Sequence, residues 1–227
     1  MINILHGIYI ALFLFMSLVL IKKSRGATDA HLKNIFWALT VFAIMKAGAS
    51  IASYGWFFAD TPLYISTLAD NSRIMFAVIS NIFLFHFGIS ILTYKIETRI
   101  DYKIFPVLLF IGYMILYVSG SVESSELEKT SRFSFGYNGA ILGFVGCINL
   151  YLNKKKRGSR RRVLYGLLLL GGGLIAYAIT EGILSASSSP GIRTKILEVV
   201  TAGILATASV LVTDLMKKET SRKIGFI

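Results

Sequence analysis

The sequence is poor in the residues that build disulfide, metal and catalytic sites. Its one cysteine, Cys147, lies inside an apolar run and cannot form an intrachain disulfide, so we expect a small packing residue. Only three histidines occur, and there is no HExxH, Gly-x-Ser-x-Gly, P-loop or paired cysteine–histidine pattern. An intramembrane hydrolase requires a nucleophile with its base, or a metal cluster. The sequence therefore predicts no enzyme and no bound metal.

Charged residues are also scarce. They make up 16% of the 227 residues, against about 25% in soluble domains, whereas apolar residues reach 55%. The net charge of +12 would suit nucleic acid, but the basic residues cluster in short loops beside apolar runs. That distribution is typical of charge that orients membrane helices beside anionic lipid head groups. We therefore predict the lipid bilayer, with anionic head groups at the basic loops, as a partner and no nucleic acid.

Seven apolar runs approach the roughly 20 residues that a membrane-spanning helix needs. They lie near residues 3–21, 35–58, 74–95, 103–120, 133–152, 163–185 and 195–216. No charged region precedes the first run, so it reads as a retained helix and not a signal peptide. The sequence predicts an all-α integral membrane protein, with residues 1–227 forming a single seven-transmembrane helix bundle.

A basic loop at 153–162 orients this bundle. Its seven cations would remain in the cytoplasm, where they would contact lipid head groups or a partner: Lys154, Lys155, Lys156, Arg157, Arg160, Arg161 and Arg162. Loops on the same side hold eighteen of the 24 Lys and Arg residues, and the opposite segments hold five. The pattern predicts a multi-pass protein of the cell membrane with its N-terminus outside and its C-terminus cytoplasmic.

Ionisable groups at membrane depth indicate functional sites, because burying them in lipid is costly. Lys46 lies near the midplane of the second run, where it would meet an anionic ligand or a carboxylate, either Glu181 or Glu198. Glu198 could instead be a solvated acid in a first helical turn. The polar groups concentrate in the outer half of the bundle. The candidate ligand-binding residues are Lys46, Tyr54, Arg73, Asn81, Tyr177, Glu181 and Glu198.

The fifth run carries Gly136, Gly139, Gly143 and Gly146 at spacings of three and four. Such a stripe clears one helix face for close approach of another backbone. The neighbour would be a helix of the same chain or a second membrane protein.

Two families share features with this sequence. Microbial rhodopsins have seven helices and an outside N-terminus, but they require a lysine in the last helix for retinal. The seventh run has none over 196–211, so we expect no retinal and no other cofactor. The sequence more closely resembles the seven-helix sensor module at the N-terminus of many bacterial histidine kinases. The similar segments are Phe-Trp-Ala-Leu at 36–39, Asn-Ser-Arg-Ile-Met-Phe at 71–76 and the basic entry into the sixth run at 160–166.

That resemblance implies a sensor, but the kinase family continues into a signalling helix and a kinase domain, whereas this sequence ends at Ile227. We therefore expect a stand-alone receptor-like module that binds a ligand in its outer polar half and signals to a separate cytoplasmic or membrane protein. A small solute transporter or channel using the same polar groups is one alternative. An accessory subunit whose glycine-rich fifth helix docks another membrane protein is the other.

Overall fold

The computed structural model describes residues 2–25, 29–54, 63–94, 105–120, 123–156, 161–186 and 191–212. Within these ranges the secondary structure is helix joined to short turns, with no strand. The helices are α1 (Ile2–Ser24), α2 (Ala30–Tyr54), α3 (Leu63–Leu92), α4 (Phe105–Val118), α5 (Ser124–Ser131), α6 (Asn138–Lys156), α7 (Arg161–Ala186) and α8 (Ile192–Val212). A π-helical segment, Arg132–Tyr137, joins α5 to α6 without a break.

Six helices among the described residues are long and apolar enough to cross a membrane: α1, α2, α3, the continuous helix over 124–156, α7 and α8. This confirms the all-helical architecture. The fourth predicted run, 103–120, contains only the 14-residue α4. At 1.5 Å per residue α4 extends about 21 Å, less than the roughly 30 Å of a hydrocarbon core. A seventh crossing therefore stays a prediction.

Several helices begin earlier in the chain than the apolar runs predicted. α2 starts at Ala30 instead of residue 35, because the Asp29 carboxylate accepts hydrogen bonds from the backbone amides of His31 (2.8 Å) and Leu32 (3.3 Å). This is an ordinary helix N-cap. α3 begins at residue 63 instead of 74, and the fifth predicted helix begins at 124 instead of 133. Polar and charged residues separate both extensions from the apolar runs that follow, so a search for apolar runs misses them.

The six long helices form a closed ring. Along the ring α1 packs on α2, α2 on α3, α3 on α6, α6 on α7, α7 on α8, and α8 again on α1. Their inward faces build one apolar core. α4 lies outside the ring, where Leu109, Phe110 and Tyr113 pack on a smaller cluster formed by α3 and Leu127 of α5.

The glycine stripe of the fifth run packs within this chain. A Cβ built on Gly139 would lie 2.5 Å from the backbone nitrogen of Phe85 in α3, and one on Gly146 would lie 2.6 Å from Ile91 Cγ2. A Cβ on Gly143 would meet Leu174 of α7 at 2.7 Å. The stripe is therefore covered by the chain's own α3 and α7 and does not present a free face for a second membrane protein.

The two ends of the bundle differ in charge. One end, here called the acidic end, gathers acidic side chains from α3, α5, α7 and α8: Asp70, Glu123, Glu126, Glu128, Glu181 and Glu198. The other, the basic end, carries Lys22, Lys23, Lys154, Lys155, Arg161 and Arg162. Lys155, Arg161 and Arg162 are exposed, in positions from which they could reach lipid head groups. The side chain of Lys156, and Arg157 and Arg160, lie outside the described residues.

The orientation of these ends can be tested with two cysteines on one continuous helix. Lys129→Cys places a thiol at the acidic end and Lys155→Cys places one at the basic end. The native Cys147 is fully buried and should give little background. With a membrane-impermeant maleimide on intact cells, we expect Lys129→Cys to be labelled and Lys155→Cys to react only after permeabilisation. The reverse pattern would refute an outside N-terminus.

Candidate functional site

A chain of ion pairs crosses the acidic end of the bundle. Lys46 Nζ of α2 lies 2.5 Å from Glu181 Oε1 of α7, and the other oxygen of Glu181 lies 3.5 Å from Arg132 Nε. Arg132 Nη2 reaches Glu128 Oε1 at 2.8 Å, and Glu128 Oε2 accepts from Arg73 Nη1 of α3 at 2.8 Å. The five side chains thus link α2, α7, the π-helical segment, α5 and α3.

A separate pair lies on α8, where Lys195 Nζ is 2.8 Å from Glu198 Oε2. Glu198 is only 9% exposed, so the interpretation of a solvated first-turn acid is wrong. The start of α8 closes the ring against α1 and α7, which removes this carboxylate from solvent, and Lys195 compensates its charge.

These side chains line a cavity of about 220 Å³. Its wall consists of His6, Tyr9, Lys46, Ala49, Ser50, Ser53, Arg73, Ala77, Glu128, Arg132, Glu181, Lys195 and Glu198. Pockets for drug-sized ligands measure about 300–1,000 Å³, so this one suits a smaller solute. His6 Nε2 hydrogen-bonds the carbonyl oxygen of Ser50 at 2.8 Å, which fixes α1 against α2 at the cavity wall.

An aromatic layer closes the cavity on its inner side. Successive rings meet edge to face, with centroids 4.9 Å apart for Tyr9 and Phe13, 5.8 Å for Phe13 and Phe42, and 5.4 Å for Phe42 and Tyr177. The Lys46 ammonium lies 5.1 Å from the centroid of the Tyr177 ring, a cation–π distance. All four aromatic side chains are buried. The charged cavity therefore ends on a packed apolar floor.

The structure brings together four of the seven candidate ligand-binding residues as cavity wall: Lys46, Arg73, Glu181 and Glu198. Tyr177 belongs to the floor. Asn81 lies elsewhere, because its Nδ2 donates to Ser131 Oγ at 3.1 Å and ties α3 to α5. Tyr54 is the last residue of α2, and its side chain lies outside the described part of the chain. Of the two possible acids, Lys46 pairs with Glu181.

Sequence reasoning missed Glu128, Arg132 and Lys195. Glu128 and Arg132 precede the fifth apolar run and Lys195 is the first residue of the seventh, so their charges were assigned to the outside segments. The signal that could have found them is local spacing, because Glu128–Arg132 and Lys195–Glu198 are i,i+4 and i,i+3 pairs of opposite charge, which face each other only on a helix.

Arg132 also begins the π-helical segment. Such segments are rare and frequently occur at functional sites, because they widen one turn and shift the register of the side chains that follow. Here the segment places Arg132 between Glu128 of α5 and Glu181 of α7. The carboxylates on both sides hold its guanidinium at the centre of the charge network.

Fold and site together define a class: an all-helical protein with six helices of membrane-spanning length in the described chain and an ion-paired cavity at one end of the bundle. Comparison of the chain with protein-family models, curated proteins and solved structures finds no match. The resemblance to the sensor module of histidine kinases therefore stays a prediction.

Proposed function

We propose that this protein is a multi-pass cell-membrane receptor-like module. The acidic end faces outside and binds a small solute in the charged cavity. The basic end faces the cytoplasm and presents the bound or unbound state to a separate protein.

The cavity carries this proposal, because seven charged side chains from α2, α3, the α5–α6 helix, α7 and α8 line it. Burying charge costs free energy even when the charges pair, and apolar residues of similar volume often stabilise a bundle equally well. A network of four cations and three carboxylates around an open space is therefore better explained by a ligand than by stability.

Signalling would proceed through Arg132, because it pairs with carboxylates on two different helices. A solute that attracts Arg132 weakens its contacts with both Glu181 and Glu128, and so changes the link between α7 and α5. Binding shifts the bundle between two packings only if the solute has different affinity for each. Arg132 supplies that difference, since its carboxylate partners and the solute compete for it.

The aromatic floor favours a receptor over an open channel. Phe13, Phe42 and Tyr177 are buried in the core next to the Lys46 side of the cavity, so packed rings and not an open path lie there. Solute flux into liposomes carrying the purified protein would support the transporter alternative, and no flux despite solute binding would support the receptor.

Native mass spectrometry of the protein, extracted gently from its own membrane, tests the cavity. We expect a bound small molecule that is lost in Lys46→Met and retained in Lys129→Gln. The control residue Lys129 is a cation at the same end that pairs with Glu126 on the surface and does not line the cavity.

Retention of the same molecule by Lys46→Met, with unchanged occupancy, would contradict the proposal. Because Lys46→Met leaves Glu181 with one cationic partner, its folding is checked by the unfolding midpoint in detergent. Ser53→Ala provides a milder second variant, since Ser53 lines the cavity and, among the described residues, its hydroxyl hydrogen-bonds only to the Ala49 carbonyl of its own helix.

A further inference from the structure

The cavity wall is richer in hydrogen-bond donors than in acceptors. Lys46, Arg73, Arg132 and Lys195 contribute four cations, against three carboxylates from glutamates. Each of those carboxylates already contacts at least one cation of the wall. The wall itself therefore holds one more cation than carboxylates, and Asp70, which contacts Arg73 from outside the wall, balances that charge.

The spare donors can be located. Within the described residues, the contacts of Arg73 use Nε, 3.4 Å from Asp70 Oδ1, and Nη1. Those of Arg132 use Nε and Nη2. Each guanidinium has one further NH₂ group, Nη2 of Arg73 and Nη1 of Arg132, with two donors apiece.

The two guanidinium groups are also close to each other. They bind opposite oxygens of the same Glu128 carboxylate, both at 2.8 Å, so one small ligand can reach both. Arg73 also contacts Asp70, and Arg132 also contacts Glu181, so a ligand would bind the NH₂ group that each guanidinium has left. Guanidinium groups match the planar, two-oxygen geometry of a carboxylate particularly well.

We propose that the solute bound in the cavity is a small monocarboxylate, held by Arg73 and Arg132. This assignment rests on the proposed function of the cavity as a ligand site. One carboxylate adds a single negative charge to a network that Asp70 already balances, whereas a doubly charged phosphate adds two. Glu198 Oε1, which makes no contact with another described residue, can accept from an ammonium group if the ligand is an amino acid.

A matched set of four-carbon probes tests the ligand class. Butyrate, 2-aminobutyrate, butyramide and butylamine share a chain and differ in charge, and inorganic phosphate serves as a different anion. The readout is the unfolding midpoint of the full chain in detergent. We expect butyrate or 2-aminobutyrate to raise the midpoint saturably, and Arg73→Gln to weaken the apparent affinity by about tenfold or more, because a hydrogen bond to a charged group is lost. Lys129→Gln should bind as the unaltered protein does.

The outcomes separate the two proposals. Preference for 2-aminobutyrate that disappears in Glu198→Gln identifies an amino acid, and equal binding of both carboxylates identifies a simple acid. No shift with either carboxylate, a larger shift with the amine, amide or phosphate, or unchanged affinity in Arg73→Gln overturns the carboxylate assignment. If native mass spectrometry still detects a solute that depends on Lys46, the cavity remains a ligand site and only the ligand class is wrong.

Discussion

Replacing Glu181 with Gln is expected to lower the free energy of unfolding by about 3–5 kcal/mol, because removing one partner from a buried ion pair leaves an uncompensated charge. Glu181 is the only carboxylate among the described residues that contacts both Lys46 and Arg132, so the substitution leaves two cations facing a neutral amide. The side chains of the Lys46–Glu181 pair are only 13% and 9% exposed, so solvent screens the charges weakly. The measurement is reversible unfolding in detergent, followed by tryptophan fluorescence or circular dichroism.

Two comparisons give this prediction its controls. Glu126→Gln removes a carboxylate that pairs with Lys129 on the surface, where both side chains are more than half exposed. It should cost less than about 1 kcal/mol. The double variant Lys46→Met, Glu181→Leu removes both members of the pair and should recover much of the lost stability, while Arg132 keeps Glu128. Equal losses for Glu181→Gln and Glu126→Gln would show that the network is solvated and not buried.

Gly139→Ala is expected to destabilise the fold by about 1–3 kcal/mol, the usual cost of forcing extra atoms into a well-packed contact. The new Cβ would lie 2.5 Å from the Phe85 nitrogen and 2.7 Å from the Leu84 carbonyl carbon. Both neighbours are backbone atoms of α3, so they cannot move aside as a flexible side chain does. Relief requires α3 and α6 to separate along their whole contact.

Gly172→Ala is the matched control for this steric argument. Gly172 also lies within a membrane-length helix, but a Cβ there would meet no heavy atom within 4 Å. Alanine should be neutral or slightly stabilising at this position, since it has the higher helix propensity. Similar unfolding midpoints for the two variants would contradict close α3–α6 packing.

Much of the architecture could be predicted because apolar run length decides whether a helix suits a membrane. That criterion found all six membrane-length helices among the described residues. It placed the start of α3 eleven residues late and the start of the fifth helix nine residues late, because polar and charged residues precede each apolar run and form pairs such as Arg73–Asp70 and Arg132–Glu128. A search for apolar runs does not detect such ion pairs, because it ends at charged residues.

The candidate site was predicted in part for a related reason. Lys46 was a candidate from the sequence because burying an amine in a membrane is costly. Few acidic residues lie in the apolar runs, so only Glu181 and Glu198 were considered as its partners. Choosing between them requires the order of helices around the ring, which one sequence does not contain. Asn81 was included by depth alone, whereas the structure turns it toward Ser131, away from the cavity wall.

The closed ring has a consequence for assembly of the protein in the membrane. Helices α1 and α8 contact each other although most of the described chain separates them in sequence. His6 and Tyr9 of α1 face Lys195 and Glu198 of α8 across the same cavity. The seam between them closes only after α8 has been inserted, so the cavity is incomplete until then. A nascent chain that stalls before α8 lacks a closed cavity and leaves the network on α2, α3, α5 and α7 open on one side.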